Sequence, residues 1–101
     1  MNKKIIVIIF VMFQVSALEA VENDVLKGRD VFMQKCMGCH GEAGEGKLTG
    51  QPNFKEGDAF FKSESVLIDI IREGKGVMPS FNGLLSDEEI RNVVVYIKTF
   101  L

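Results

Sequence analysis

The stretch Cys36-Met37-Gly38-Cys39-His40 places two thiols and an imidazole within five residues. This is the pattern C-x-x-C-H, which is the attachment signal of haem c. Two thiols one helical turn apart can add to the two vinyl groups of a haem and form thioethers. The next residue, His40, is then carried to the iron through its imidazole. The motif therefore predicts one haem c, covalently bound through Cys36 and Cys39, with His40 as a ligand of the iron.

Three other types of site use similar residues: a structural zinc site, a thioredoxin-like redox pair and a disulfide. A structural zinc site takes four Cys or His ligands, whereas the chain has two Cys and one His. A thioredoxin-like redox pair needs a βαβ context, and the surrounding pattern is helical. A disulfide between Cys36 and Cys39 would close too short a loop to add much stability. The spacing and the adjacent His40 favour haem.

The first residues have the pattern of a secretory signal peptide. Lys3 and Lys4 are basic, Ile5–Phe13 is an unbroken run of nine apolar residues, and small residues follow at Ala17 and Ala20. A retained membrane anchor is the alternative, but the run is far shorter than the ~20 residues that cross a bilayer. The pattern predicts export to the periplasm and no stable membrane span after processing.

Cleavage after Ala17 or after Ala20 fits the small residues there, so we expect a signal peptide over 1–20 and one domain over 21–101. Cutting after Ala20 would remove two of the 12 basic and one of the 14 acidic residues, which changes the net charge from −2 to −3. This acidic balance argues against nucleic acid as a partner. A domain of this size usually needs a cofactor or another staple, and we expect a monomer.

The first predicted helix leads into the C-x-x-C-H motif. Asp24 is a suitable N-cap, and the helix is expected from Val25 to about Lys35. Leu26, Val31 and Phe32 have the spacing of side chains that one helix face buries.

Two further helices have recognisable ends, and no segment alternates like a strand. Ser63 or Ser65 can cap the second helix, which should stop at Gly74. Ser86 and Glu89 have the spacing of a capping box that starts the last helix. The apolar residues that recur on one face of the last helix are Ile90, Val93, Val94, Ile97 and Leu101.

Together, the motif and the helices resemble the class I cytochrome c family of small bacterial monohaem proteins. The resemblance covers nearly all of the predicted mature chain. It implies an all-α fold in which three main helices and Gly-rich loops wrap around one covalently bound haem. It also implies that Gly28 and Phe32 pack against Val93 and Tyr96 on the last helix.

The same resemblance implies two partners for the haem and its ligating histidine. Pro52 follows the Gly-rich loop, and its carbonyl would accept a hydrogen bond from the imidazole of His40. Gly76-Val77-Met78-Pro79 resembles the family segment that supplies a methionine as the second axial ligand.

The methionines of the chain point to Met78 independently. The chain has five Met, and the other four are Met1, Met12, Met33 and Met37. Met1 and Met12 lie in the predicted leader. Met33 and Met37 lie within one helical turn of the haem-binding cysteines, where they are poorly placed to reach the iron from the opposite face of the haem. A Met78 that only fills the core is the alternative.

These residues predict a carrier of single electrons between redox partner proteins. Iron bound by His40 and Met78 has no open position for substrate, so no catalytic residues and no enzyme activity are expected. The alternatives are a haem enzyme or gas- or peroxide-reactive protein with an open sixth position, and a dedicated subunit of a larger oxidoreductase. The apolar side chains expected in the haem crevice, or in the general core, are Phe54, Phe60, Phe61, Phe81 and Leu84.

Overall fold

The computed structural model describes the backbone of residues 3–100 and the side chains of residues 18–100. The helices are α1 (Lys3–Lys35), α2 (Met37–His40), α3 (Glu64–Glu73) and α4 (Asp87–Ile97), with a 3₁₀ turn at Phe54–Glu56. Within residues 3–100 there is no strand, and the chain makes only two isolated β-bridges. The prediction of an all-α fold with three main helices and Gly-rich loops is confirmed.

Helix α1 begins much earlier than the sequence predicted. Asp24 lies inside this helix and is not its N-cap. The reason is that neither Gly nor Pro occurs between Lys3 and Lys27, so nothing interrupts the helix there. Leu26 is 53% exposed, contrary to expectation, whereas Val31 is half-buried and Phe32 is fully buried.

The predicted leader lies partly outside the described residues, since residues 1 and 2 and the side chains of 3–17 are not described. The division at residue 20 therefore stays a prediction. In the part of the chain that the structure describes, none of the helices combines the length and the apolar character that a bilayer span requires.

The ends of α3 and α4 are set by local hydrogen bonds. The Ser63 hydroxyl accepts from the Val66 amide at 3.3 Å, so Ser63 is the N-cap of α3, and Gly74 ends the helix with φ at 81°. The Ser86 hydroxyl accepts from the Glu89 amide at 3.1 Å, and the Glu89 carboxylate accepts from the Ser86 amide at 3.0 Å. This is the predicted capping box, and it fixes where α4 starts.

The core lies where α1 crosses α4 and where α3 packs beside α4. Four residues of the predicted apolar face of α4 are buried there: Ile90, Val93, Val94 and Ile97. Leu101, the fifth, lies outside the described residues. The ring of Phe32 meets the ring of Tyr96 edge-on, with their centroids 5.4 Å apart. The expected contact between the first and last helices is thus present.

Gly28 is the point of closest approach between these two helices. A Cβ placed on Gly28 would overlap the backbone carbonyl of Asn92, coming within 2.5 Å of its carbon atom, and would lie 3.0 Å from the Cβ of Tyr96. The obstacle is backbone, which cannot rotate away as a side chain can. Only glycine therefore lets α1 and α4 cross at this distance.

We expect Gly28→Val to lower the free energy of unfolding by about 1–3 kcal/mol through overpacking, despite the better helix propensity of other residues. Thermal unfolding of the haem-loaded protein measures this. Lys27→Val is the matched control, because it places the same side chain at an exposed position of the same helix. A Gly28→Val protein that melts at or above the wild-type temperature would contradict the role of Gly28 at the crossing.

Candidate haem-binding site

The C-x-x-C-H motif forms a single turn that continues from the end of α1. The Cys36 amide donates to the Phe32 carbonyl at 2.9 Å, and the His40 amide donates to the Cys36 carbonyl at 2.9 Å. Both cysteines are free thiols; Cys36 is buried and Cys39 is exposed. The structure thus brings Cys36, Cys39 and His40 together, held by the packing of Phe32 in the core.

Burial sets the charge of the groups on this turn. Loss of solvent, and then the neighbouring Cys39, raise the pKa of the Cys36 thiol to about 11. Burial lowers the pKa of the His40 imidazole from its usual value. At neutral pH the Cys36 thiol is protonated and the imidazole is neutral, which is the form of histidine that binds a metal.

The imidazole of His40 lies against an aromatic ring. Its ring stacks on Phe54 at a centroid distance of 5.1 Å and an angle of 21°. Its Nδ1 atom is buried and has no hydrogen-bond partner among the described residues. A buried polar atom without a partner is costly, and a metal-ligating histidine ordinarily donates from its second nitrogen to a carbonyl or carboxylate.

Pro52 lies close to Gly46, whose amide bonds to the His40 backbone, but within the described residues Pro52 does not bond to the His40 ring. The Gly46 amide donates to the His40 carbonyl at 2.7 Å. A Cβ placed on Gly46 would lie 3.1 Å from the Pro52 carbonyl oxygen. The hydrogen bond from His40 to this carbonyl is not formed within the described part of the chain, so the role of Pro52 stays a prediction.

Met78 lies in a tight turn just after α3. Its amide donates to the Lys75 carbonyl at 3.0 Å, and its carbonyl accepts from the Lys75 amide at 3.1 Å. The Met78 side chain is partly buried and packs against the hydrophobic core, as do those of Met33 and Met37. Its role as an iron ligand stays a prediction.

Three comparisons with known proteins agree on the family. Residues 23–97 match the family model described as cytochrome c oxidase, cbb3-type, subunit III. Cytochrome c6 of Thermostichus vulcanus is 34% identical over 95 residues, which cover 92% of this chain and 82% of that protein. The structure of cytochrome c6 from the diatom Phaeodactylum tricornutum has a TM-score of 0.65 and 30% identity, covering 74% of this chain and 91% of the other.

This chain belongs to the cytochrome c family. Its cofactor is therefore haem c, and its fold is that of the class I cytochromes. The cbb3-type cytochrome c oxidase subunit FixP of Bradyrhizobium diazoefficiens is 36% identical over 77 residues. The match covers 73% of this cytochrome but only 27% of FixP.

The side chains of this cytochrome fit a covalently bound haem. The donor set is two free thiols on one turn, followed directly by an imidazole whose buried Nδ1 has no partner among residues 18–100. These are the groups that thioether formation and iron ligation need. The donor chemistry, together with the fold, supports Cys36, Cys39 and His40 as the residues that would hold the haem.

The five apolar residues expected near the haem divide into two groups. Phe54 and Phe81 are buried in the core, whereas Phe60 is 49%, Leu84 71% and Phe61 91% exposed. The two buried rings belong to the same core as Cys36. The three exposed side chains lie on the loops that flank α3 and α4.

Phe100 was not predicted from the sequence, although it joins the site to the core. Its ring lies 5.3 Å from Phe32, 5.0 Å from Tyr96 and 6.3 Å from Phe54, which itself stacks on His40. Its position four residues after Tyr96, the spacing of side chains that meet on one face of a helix, is the sequence pattern that could have indicated it. Phe100 continues the aromatic packing past the end of α4.

Proposed function

We propose that this cytochrome is an exported carrier of single electrons, with one haem whose iron is bound by His40 and Met78. The observation that carries the proposal is the turn that joins two free thiols and an imidazole, on a cytochrome c fold. Haem, when bound, supplies one-electron iron chemistry. The chain supplies the attachment, the two ligands and the apolar surroundings.

The thiols would attach the cofactor without an oxidant. Each S–H would add across one vinyl group, so that Sγ bonds to one vinyl carbon and the hydrogen goes to the other. Cys36 and Cys39 lie three residues apart on a turn held by the hydrogen bonds of Cys36 and His40. The same turn would present the neutral imidazole of His40 as a ligand for the iron.

Met78 makes the difference between a carrier and an enzyme. A thioether that fills the sixth position leaves no site for substrate, and Met/His ligation raises the reduction potential. The turn closed by Lys75 and Met78 is well suited to hold that side chain in place. If Met78 does not bind iron, the open position would favour the alternative of a haem enzyme or a gas- or peroxide-reactive protein.

Haem content tests the attachment directly. We expect one haem per chain, because the sequence holds only two cysteines and one histidine. Acid–acetone extraction should leave the colour with the protein, and a pyridine haemochrome assay should give one haem for each chain. Colour that moves into the organic phase would show that the haem is not covalently bound.

The carrier could act alone or as part of a larger oxidoreductase. Cytochrome c6 proteins are matched over most of their length, whereas FixP and CcoP are described as subunits of cbb3-type cytochrome c oxidases. We propose redox partner proteins in either setting. Size-exclusion chromatography of a gently prepared extract, followed by haem staining, distinguishes a monomer from a stable complex.

A further inference from the structure

The C-terminal end of α3 is capped by the segment that follows Met78. The last carbonyls of a helix have no partner within it, and here residues 80–82 supply the missing donors. The Phe81 amide donates to the Ile71 carbonyl at 3.1 Å. The Asn82 amide and the Ser80 hydroxyl both donate to the Arg72 carbonyl, at 3.1 Å and 2.6 Å.

These bonds make residues 74–82 a closed loop with Met78 at its middle. The loop leaves α3 at Gly74, whose amide donates to the Ile70 carbonyl at 2.8 Å. It turns at Lys75 and Met78, and it returns to α3 through residues 80–82. Met78 is therefore held on both sides by the same helix end.

Ser80 is the side chain that closes this loop. Within residues 74–82 as the structure describes them, its hydroxyl is the only side-chain group that bonds to α3. It donates to the Arg72 carbonyl and accepts from the Asn82 amide at 3.2 Å. Only Pro79, whose φ is fixed by its ring, separates Ser80 from Met78, so a shift of Ser80 is passed on to Met78.

The acceptor of this bond is itself held in place. The Arg72 guanidinium pairs with Asp87 at 3.0 Å and with Asp69 at 3.5 Å. Asp87 is the first residue of α4, so Arg72 joins the end of α3 to the start of α4. The carbonyl that receives Ser80 thus belongs to a residue that joins the end of α3 to the start of α4.

We propose that the Ser80 hydroxyl is a positioning group that keeps the Met78 thioether at the haem iron. This rests on the proposed role of Met78 as the sixth ligand. Without the hydroxyl, the loop keeps the buried ring of Phe81 as its anchor but loses the shortest of its hydrogen bonds to α3. Met78 then leaves the iron more often, while the remainder of the fold is retained.

Cyanide binding to the oxidised, haem-loaded protein tests this proposal, because cyanide can enter only after the internal ligand has left. We expect Ser80→Ala to bind cyanide about five-fold faster than wild type, as the loss of one hydrogen bond implies. The thioether–iron charge-transfer band should remain visible but be weaker than in wild type. Ser80→Thr keeps the hydroxyl and should stay close to wild type.

Ser63→Ala is the matched control, since it removes a serine cap from the opposite end of the same helix. It should lower the melting temperature without faster cyanide binding. Equal acceleration in Ser63→Ala and Ser80→Ala, or an unchanged rate in Ser80→Ala, would overturn the positioning role. A wild-type protein without the charge-transfer band would instead reject Met78 as the ligand, which separates failure of the proposed function from failure of this inference.

Discussion

Met78→Ala is expected to abolish the thioether–iron charge-transfer band and to lower the reduction potential, because Met/His ligation raises that potential. Added cyanide or carbon monoxide should bind faster, since no internal ligand has to leave first. Stability should also fall, because the loop of residues 74–82 would lose its attachment to the haem. Absorption spectra, redox titration and ligand-binding kinetics of the purified protein measure these changes.

A Met78 that only fills the core predicts a different outcome. Truncation would then create a cavity and cost about 2–5 kcal/mol of stability, with the spectrum and the potential little changed. Met33→Ala provides the comparison, because Met33 is also partly buried against the core. If Met78→Ala and Met33→Ala both keep the wild-type spectrum, Met78 is not the ligand, and the case for a pure electron carrier is lost.

The double substitution Cys36→Ala and Cys39→Ala is expected to give a largely unfolded chain without covalently bound haem. A domain this small buries too little apolar surface to be stable on a core alone. In the haem-loaded wild type, the haem would contact the turn of the motif, the loop of residues 74–82 and the core, and so hold them together. Circular dichroism of the purified variant measures the remaining helix.

Cys39→Ala alone is the control for this experiment. It removes the exposed thiol and leaves the buried Cys36 to form one thioether. We expect it to retain part of the haem and of the fold. A double variant that unfolds cooperatively from a fully helical state would show that the fold does not depend on the haem.

Features that depend on neighbours in the chain could be predicted from the sequence. The capping box of Ser86 and Glu89 is complete within four residues, and it formed as expected. The turn of the C-x-x-C-H motif needs only hydrogen bonds of nearby backbone groups. The apolar face of α4 followed from helical periodicity, because burial of one face requires that spacing.

Features that depend on distant residues could not be predicted in the same way. Leu26 has helical spacing but is exposed, because burial also requires another element to cover that side chain, and spacing along α1 does not specify one. Asp24 resembles an N-cap, but the residues before it continue the helix. Phe100 packs on Phe32 of α1, and the spacing of residues along the last helix does not specify that partner.

The sequence by itself therefore determined the ends of α3 and α4, the apolar face of α4 and the chemistry of the haem-binding turn. These depend on local hydrogen bonding, on side-chain spacing and on the donor groups that haem requires. Only the tertiary structure decided that Gly28 meets the Asn92 carbonyl and that Ser80 caps α3 beside Met78. Gly28 and Asn92 lie far apart in the chain and meet only after α1 has packed on α4. Ser80 and Arg72 are closer in the chain, but they meet only because the loop of residues 74–82 folds back on the end of α3.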